Sequence, residues 1–501
     1  MDLLGNYFKE TSPDQYSKAA VAFFAALDHI AETSPSIAKA ILSELRDQRQ
    51  SLKMIASENY SSLAVQLAMG NCLTDKYAEG IPHHRFYAGC DNIDAIEDEA
   101  CLLLKELFGC EHAYVQPHSG ADANLVAYWA ILTKRVQPKA LEKFQKQTID
   151  QLTPSEFEEL RKLLMSQKLL GLSLNSGGHL THGYRHNTSS KMFEAHFYEV
   201  DPKTYQLNYD AIAKQAREIR PDILLAGYSS HARKINFRIM KEIAQEVGAT
   251  FMVDMAHFAG LVAGKVFTGD FNPIPFADIV TSTTHKTLRG PRGGFVLCTN
   301  EYKEFVDKGC PMVLGGPLPH VMAAKAIAFR EAKTKNFQNY AQKVVKNAQA
   351  LAAGLIKHGL DVLSGGTDNH MVVVNVSGFG LTGRHAEGAL RQCGITVNRN
   401  AIPFDKNGPW YTSGIRLGTP ALTTLGLGPD EMTKIAELIA LCLKNSKPST
   451  TQAGQPSKSH ADVAPEIIEQ CKLTVQKILE MYPLYPELDV KNIDSLETLC
   501  V

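Results

Sequence analysis

Apolar residues at Ile93, Ile96, Ala100, Leu103 and Leu107 recur three or four positions apart and predict a helix, with Gly109 at its C′ position. From about residue 190 the pattern changes to short apolar runs that alternate with helical stretches. ILLAGYSS (223–230) reads as strand then loop, residues 236–247 as helix, and ATFMVDMAHFAG (249–260) as strand then loop. Ile279 and Val280 open a further short strand, followed by TSTTHKTLRGPRGGF (281–295) and the apolar run Phe295-Val296-Leu297. Apolar runs of this kind between helices predict an α/β protein with a parallel sheet. Ser229, Asp254, His257 and Lys286 then all fall at or just beyond strand ends, on the carboxyl edge where such sheets bind ligands.

The same patterning divides the chain. Residues 1–60 read as a helical N-terminal arm ending in MIASENY, and residues 61–320 as a large domain. Within it, KYAEGIPHHRFYAGC (76–90) has neither helix nor strand period and is expected to be a site-bearing loop. Residues 134–172 read as an insertion, with a capping box in TPSE (153–156). Residues 321–501 read as a smaller α/β domain, from the helical region 318–358, HMVVVNVS (370–377), a helix near 384–392 and GITVNRN (394–400). Inside it, SKPSTTQAGQPSKSH (446–460) lacks a hydrophobic period and is expected to be an exposed, mobile connector before a final helix near 464–481.

Composition excludes more than it selects. A chain of 501 residues with a formal net charge of -1 carries no global basic field, so nucleic acid is not expected as a partner. Ten cysteines without a C-x-x-C pair indicate neither a disulfide scaffold nor a metal site, and suit a reducing cytoplasm. AAVAFFAAL (19–27) has mixed charge before it and Asp28-His29 after it, and is too short to span a bilayer. It reads as a packed or subunit-contact helix, and no membrane association is expected.

The densest chemistry surrounds Lys286, which follows four hydroxyl residues and His285. A lysine beyond a strand end, among hydroxyls, is an arrangement that forms a Schiff base with pyridoxal phosphate (PLP), and Arg289 and Arg292 would help keep its amine neutral. A solvated surface lysine is the plain alternative. Asp254, ending an apolar run, could pair with a pyridinium nitrogen or simply cap a turn. His257 could bond the ring oxygen. Ser119 and Gly120, with the hydroxyls before Lys286, could take a phosphate, although many Ser-Gly pairs are only N-caps. His179, in GGHLTHG (177–183), could stack on a ring or be structural. Arg416, between glycines in SGIRLGTP (413–420), could fork onto a carboxylate.

Taken together, TTHKTLRGPRGG, FMVDMAHFAGL, KYAEG, ASEN, GGHLTHG, SGGTDNH and TSGIRLGTP resemble serine hydroxymethyltransferase over about residues 54–420. The resemblance implies PLP fold type I, with a mostly parallel seven-stranded sheet between helices and a smaller C-terminal α/β domain. It implies reversible transfer of the serine hydroxymethyl carbon to tetrahydrofolate. Lys286, Glu79, His285 and Tyr87 would act in catalysis. Ser119, Gly120, His179, Ser229, Asp254, His257, Lys286 and Tyr77 would hold PLP. Ser57, Glu79, Tyr87, Arg416, Leu174, Leu180 and Asn400 would meet serine, glycine or folate. The resemblance also implies a homodimer in which the neighbouring subunit supplies Glu79, Tyr77 and Tyr87. A folate-independent PLP aldolase or racemase is the nearest alternative, and a non-catalytic binding protein a more distant one.

Overall fold

The computed structural model describes residues 2–488. Seven strands form the central sheet: β1 (His112–Tyr114), β2 (Lys168–Leu172), β3 (Glu194–Tyr198), β4 (Ile223–Gly227), β5 (Thr250–Asp254), β6 (Ile279–Thr283) and β7 (Gly294–Cys298). Their spatial order is β1-β7-β6-β5-β4-β2-β3. The pairs β3–β2, β2–β4, β4–β5 and β5–β6 are parallel, and β7 runs antiparallel to both β6 and β1.

Strands β4 to β7 are buried along their whole length, which is why residues 223–226, 251–253, 279–280 and 295–297 read as apolar runs. Alternate side chains serve opposite faces. Phe251, Val253, Val280 and Phe295 join one core with helices Asp91–Phe108, Phe237–Val247 and Pro319–Ala332. Met252, Ile279 and Val296 join another under the helix Gly120–Phe144. Register levels the carboxyl ends, with Gly227 opposite Asp254 and Asp254 opposite Thr281. Gly227 has φ +134°, and a Cβ there would lie 2.2 Å from the Asp254 carbonyl oxygen, so only glycine lets these two strand ends meet.

A second, antiparallel sheet holds β8 (Asp361–Val362), β9 (Met371–Asn375), β10 (Asn398–Asn400) and β11 (Gly414–Gly418), in the order β8-β9-β11-β10. Helices Lys335–Lys357, Gly383–Gln392 and Pro429–Lys444 share its core. The N-terminal segment forms helices Leu3–Glu10, Lys18–Thr33 and Pro35–Gln50. Phe24 and Leu27, from the apolar stretch 19–27, pack with Tyr7, Leu42, Leu45 and Tyr60 of the same chain. Among the described residues, no helix is long and apolar enough to cross a membrane.

Two stretches depart from expectation. Residues 134–172 are not one insertion: the helix from Gly120 runs on to Phe144, and Lys168–Leu172 is strand β2 inside the central sheet. The intervening polar segment, with its capped helix Pro154–Met165, hid a five-residue strand that contains a glycine. Residues 446–460 are not a bare connector. Ser446–Thr450 pairs antiparallel with Pro456–Val463 as a hairpin. It is tied to the helix Gly383–Gln392 by His385 Nε2 against the Ser457 carbonyl (2.9 Å) and by the Thr382 hydroxyl donating to the Lys458 carbonyl (3.1 Å). Small polar side chains gave this hairpin no hydrophobic signature.

Candidate active site

The carboxyl ends of β4, β5 and β6 open into a cavity of about 690 Å³, closed on the other side by residues of the smaller sheet. It gathers Ser57, Ser119, Gly120, Leu174, His179, Leu180, Ser229, Asp254, His257, His285, Lys286, Asn400 and Arg416. Positions far apart in sequence meet because parallel strands end together. Glu79, Tyr77 and Tyr87 are not among the lining residues. Tyr77 and Tyr87 pack edge to face at 4.9 Å and are about half exposed (50% and 48%), next to Phe86 at 68%.

Lys286 is 9% exposed. Burial, opposed by Asp254 and aided by Arg416 and Arg292, lowers its amine to about 8. Arg289, expected to contribute, instead lays its guanidinium over the Tyr340 ring, 5.0 Å from the centroid. Arg416 takes its place.

Asp254 is held by donors. Its Oδ2 accepts from His182 Nε2 (3.1 Å) and Asn124 Nδ2 (2.9 Å), and its Oδ1 from the Ala256 N–H (3.0 Å). Burial alone would raise this carboxyl, yet the His182 and Asn124 bonds, with His179 nearby, keep it well below the usual carboxylate range. His182 Nδ1 accepts from the His179 N–H (3.3 Å), which places the hydrogen of a neutral His182 ring on the nitrogen facing Asp254. His182 and Asn124 escaped the sequence reading because they lie 72 and 130 positions from Asp254.

Further bonds orient His179. Thr281 donates to Asn124 Oδ1, Asn124 Nδ2 to Thr181 Oγ1 (2.8 Å), and the Thr181 hydroxyl to His179 Nδ1 (2.7 Å). Burial lowers His179 to about 4, so its ring, in the cavity wall, is neutral. Ligand atoms of His179, His182 and Asp254 lie within 4.8 Å of one another, but their hydrogen bonds are spent on this network. His257 Nδ1 lies 3.2 Å from His370 Nε2 with the rings stacked, and burial holds both imidazoles neutral.

Ser119 caps the helix Gly120–Phe144, its Oγ accepting from the Asp122 N–H at 3.1 Å. The positive end of this helix therefore faces the cavity. Of the four hydroxyls before Lys286, only Thr283 lines the cavity. Thr281 is spent on Asn124, Ser282 on the Thr283 carbonyl and Thr284 on the Pro291 carbonyl. Arg416 donates through Nε to Asn398 Oδ1 (3.1 Å) and through its Nη1 to the Ser229 carbonyl. Asn400 turns its Nδ2 to the Ala401 carbonyl (2.6 Å).

This sheet order, with a buried lysine just past β6 and an ionised aspartate at the end of β5, is that of PLP fold type I. The serine hydroxymethyltransferase family profile matches residues 30–142 and 155–439. Serine hydroxymethyltransferase from Treponema pallidum is 57% identical over 483 residues, covering 96% of this chain and 84% of the relative. The protein of that name from Salinispora tropica is 56% identical over 94% of this chain and 98% of its own, and that from Chlamydia muridarum 54% over 98% and 99%. The chain belongs to the serine hydroxymethyltransferase family.

The donor set fits PLP. A near-neutral amine suits an aldehyde, an ionised carboxylate suits a pyridinium, and a helix N-terminus suits a phosphate. His285 Nδ1, in the cavity wall, is buried with no hydrogen-bond partner among the described residues.

Proposed function

We propose that this cavity is where the chain interconverts serine and tetrahydrofolate with glycine and 5,10-methylenetetrahydrofolate, with PLP as resident cofactor. One observation carries the reading: a lysine amine pushed to about 8, an ionised Asp254 and Arg416 share one enclosure. Bound PLP supplies the aldehyde that Lys286 engages and the electron sink for breaking the Cα–Cβ bond. Asp254 holds a proton on the pyridine nitrogen. His179 would stack on the ring, His257 and Ser229 would serve its oxygen, and Ser119 and Gly120 would take the phosphate. Arg416 and Ser57 would hold the amino-acid carboxylate and so fix the orientation of the substrate. Leu174, Leu180 and Asn400 border the folate.

Glu79, with Tyr77 and Tyr87, holds or moves the hydroxyl proton from a second copy of the chain. The exposed aromatic surface at Tyr77, Phe86 and Tyr87 supports this homodimer. Nine free cysteines among the described residues support a reducing, cytoplasmic setting. Family membership and the intact lysine do not favour a plain aldolase, a racemase or a non-catalytic binder. Glycine should change the cofactor absorbance of the loaded enzyme, and tetrahydrofolate should add a long-wavelength band. A glycine response indifferent to folate would favour the plain aldolase.

Two further results are expected here. The neutral amine is the nucleophile, so uptake of PLP by the cofactor-free chain should quicken as pH rises and level off above about 8. A rate still climbing beyond pH 10 would describe an ordinary solvated lysine (reference pKa about 10.4). Arg416→Lys exchanges an oriented fork for a point charge. Losing one charge-assisted bond should weaken serine and glycine binding by about ten- to a hundredfold. Titration of the cofactor spectrum measures this, and unchanged affinities would put the carboxylate elsewhere.

A further inference from the structure

Lys325 lies in the helix Pro319–Ala332 and is 1% exposed, yet it forms no ion pair among the described residues. Its Nζ donates to three backbone carbonyls: Val115 (2.6 Å), Pro117 (2.9 Å) and Gly294 (2.9 Å). Three acceptors match the three hydrogens of an ammonium. Burial pulls this amine down to about 7, while Glu97, Cys101 and Asp122 act to raise it.

The two segments joined are the ones that carry the anchors of the cavity. Val115 and Pro117 lie on the stretch from β1 to Ser119 and Gly120, at the helix N-terminus. Gly294 opens β7 and ends the turn that begins at Lys286. The segments touch directly as well: the Gly294 N–H donates to the Pro117 carbonyl at 3.0 Å, and a Cβ on Gly294 would lie 2.3 Å from the Ser119 carbonyl oxygen. Gly293 makes room for the lysine, since a Cβ there would lie 2.5 Å from Lys325 Cε. Three carbonyl dipoles converging on one point repel each other, and each costs free energy if buried without a donor.

We infer that Lys325 is a positioning residue, whose ammonium fixes the helix N-terminus that takes the PLP phosphate relative to the turn that presents Lys286. The inference rests on the functional reading above. PLP carries its aldehyde and its phosphate arm on neighbouring carbons of one ring, so the two anchors must keep a set separation for both to engage it. Lys325 itself does not line the cavity.

The test is equilibrium dialysis of PLP against the cofactor-free full-length chain and its Lys325→Met variant, which keeps the length and loses the donors. The dissociation constant for PLP should rise about ten- to a hundredfold. Inorganic phosphate, which engages only one anchor, should compete with PLP binding in the wild type with a constant that the substitution changes much less. A purely structural lysine would lower the melting temperature of the cofactor-free variant and leave the PLP constant within twofold, which would overturn the inference. Gly293→Ala keeps the charge but crowds Cε, and should weaken PLP in the same direction; it decides the matter if Lys325→Met does not fold, and unchanged binding there overturns the inference too. A wild type that took up no PLP would overturn the functional reading and this inference with it. A wild type that binds, beside a Lys325→Met variant that binds equally, overturns this inference alone.

Discussion

Asp254→Asn should lower turnover at saturating serine by about 10²–10³-fold, equivalent to about 2.7–4.1 kcal/mol in the barrier. The chain should still fold and still take up PLP. Shape is nearly unchanged, but the hydrogen-bond sense is not. Every polar contact to Asp254 comes from a donor: His182 and Asn124 on one oxygen and the Ala256 N–H on the other. An amide must turn its own N–H groups toward one of these sets. If it faces His182, that ring must give up the hydrogen that its contact with the His179 N–H assigns to Nε2. If Asn124 turns instead, it breaks with Thr181 and Thr281, and His179 loses its support. On the proposed role, a neutral amide would also not hold a proton on the pyridine nitrogen, which would weaken the cofactor as an electron sink. Steady-state rates and the absorbance of the loaded enzyme report the two effects separately. Near-normal turnover in Asp254→Asn would remove Asp254 from the chemistry.

What could be read from the chain follows from what burial does to sequence. Strands β4, β5 and β6 are covered on both faces, so each announced itself through a short apolar run, at residues 223–226, 251–253 and 279–280. Parallel pairing then places Ser229, Asp254, His257 and Lys286 on one edge without further information. Partners that reach the edge from elsewhere left no such trace. His182 sits in the same glycine-histidine turn as His179, and nothing local says that its ring bonds Asp254. Asn124 reads as one more polar residue in a helix, although its amide joins Asp254 to Thr181 and Thr281. Arg289 shows the reverse error. It stands three positions from Lys286, but its backbone turns at φ +64° and its guanidinium covers Tyr340. Proximity along the chain predicts contact only where the local backbone is regular.

Glu79→Gln should separate transfer to folate from simple carbon–carbon cleavage. Its loop is rigid. Arg85 donates to the carbonyls of Ala78 (3.0 Å) and Gly80 (2.8 Å), on either side of Glu79, and is itself held by Asp94 and the buried Glu97. The substitution therefore changes the charge of one side chain without releasing the backbone. The variant should keep PLP and its response to glycine. Folate-dependent turnover should fall by about 10²–10⁴, the usual worth of a positioned acid or base. Cleavage of a bulky β-hydroxy amino acid without folate should fall much less, because water or the departing aldehyde can carry the proton. The same variant tests where Glu79 acts. Glu79 does not line the cavity of its own chain, and the proposed function gives it to the cavity of a second copy. Equal amounts of Glu79→Gln and Lys286→Ala subunits, after random exchange, should then recover about a quarter of wild-type activity, since half the dimers are hybrids with one intact site of two. No recovery despite proven exchange would place Glu79 outside the neighbouring site. Equal losses in both reactions would assign it to the cofactor or the fold, and the specific role in folate-coupled transfer would fall.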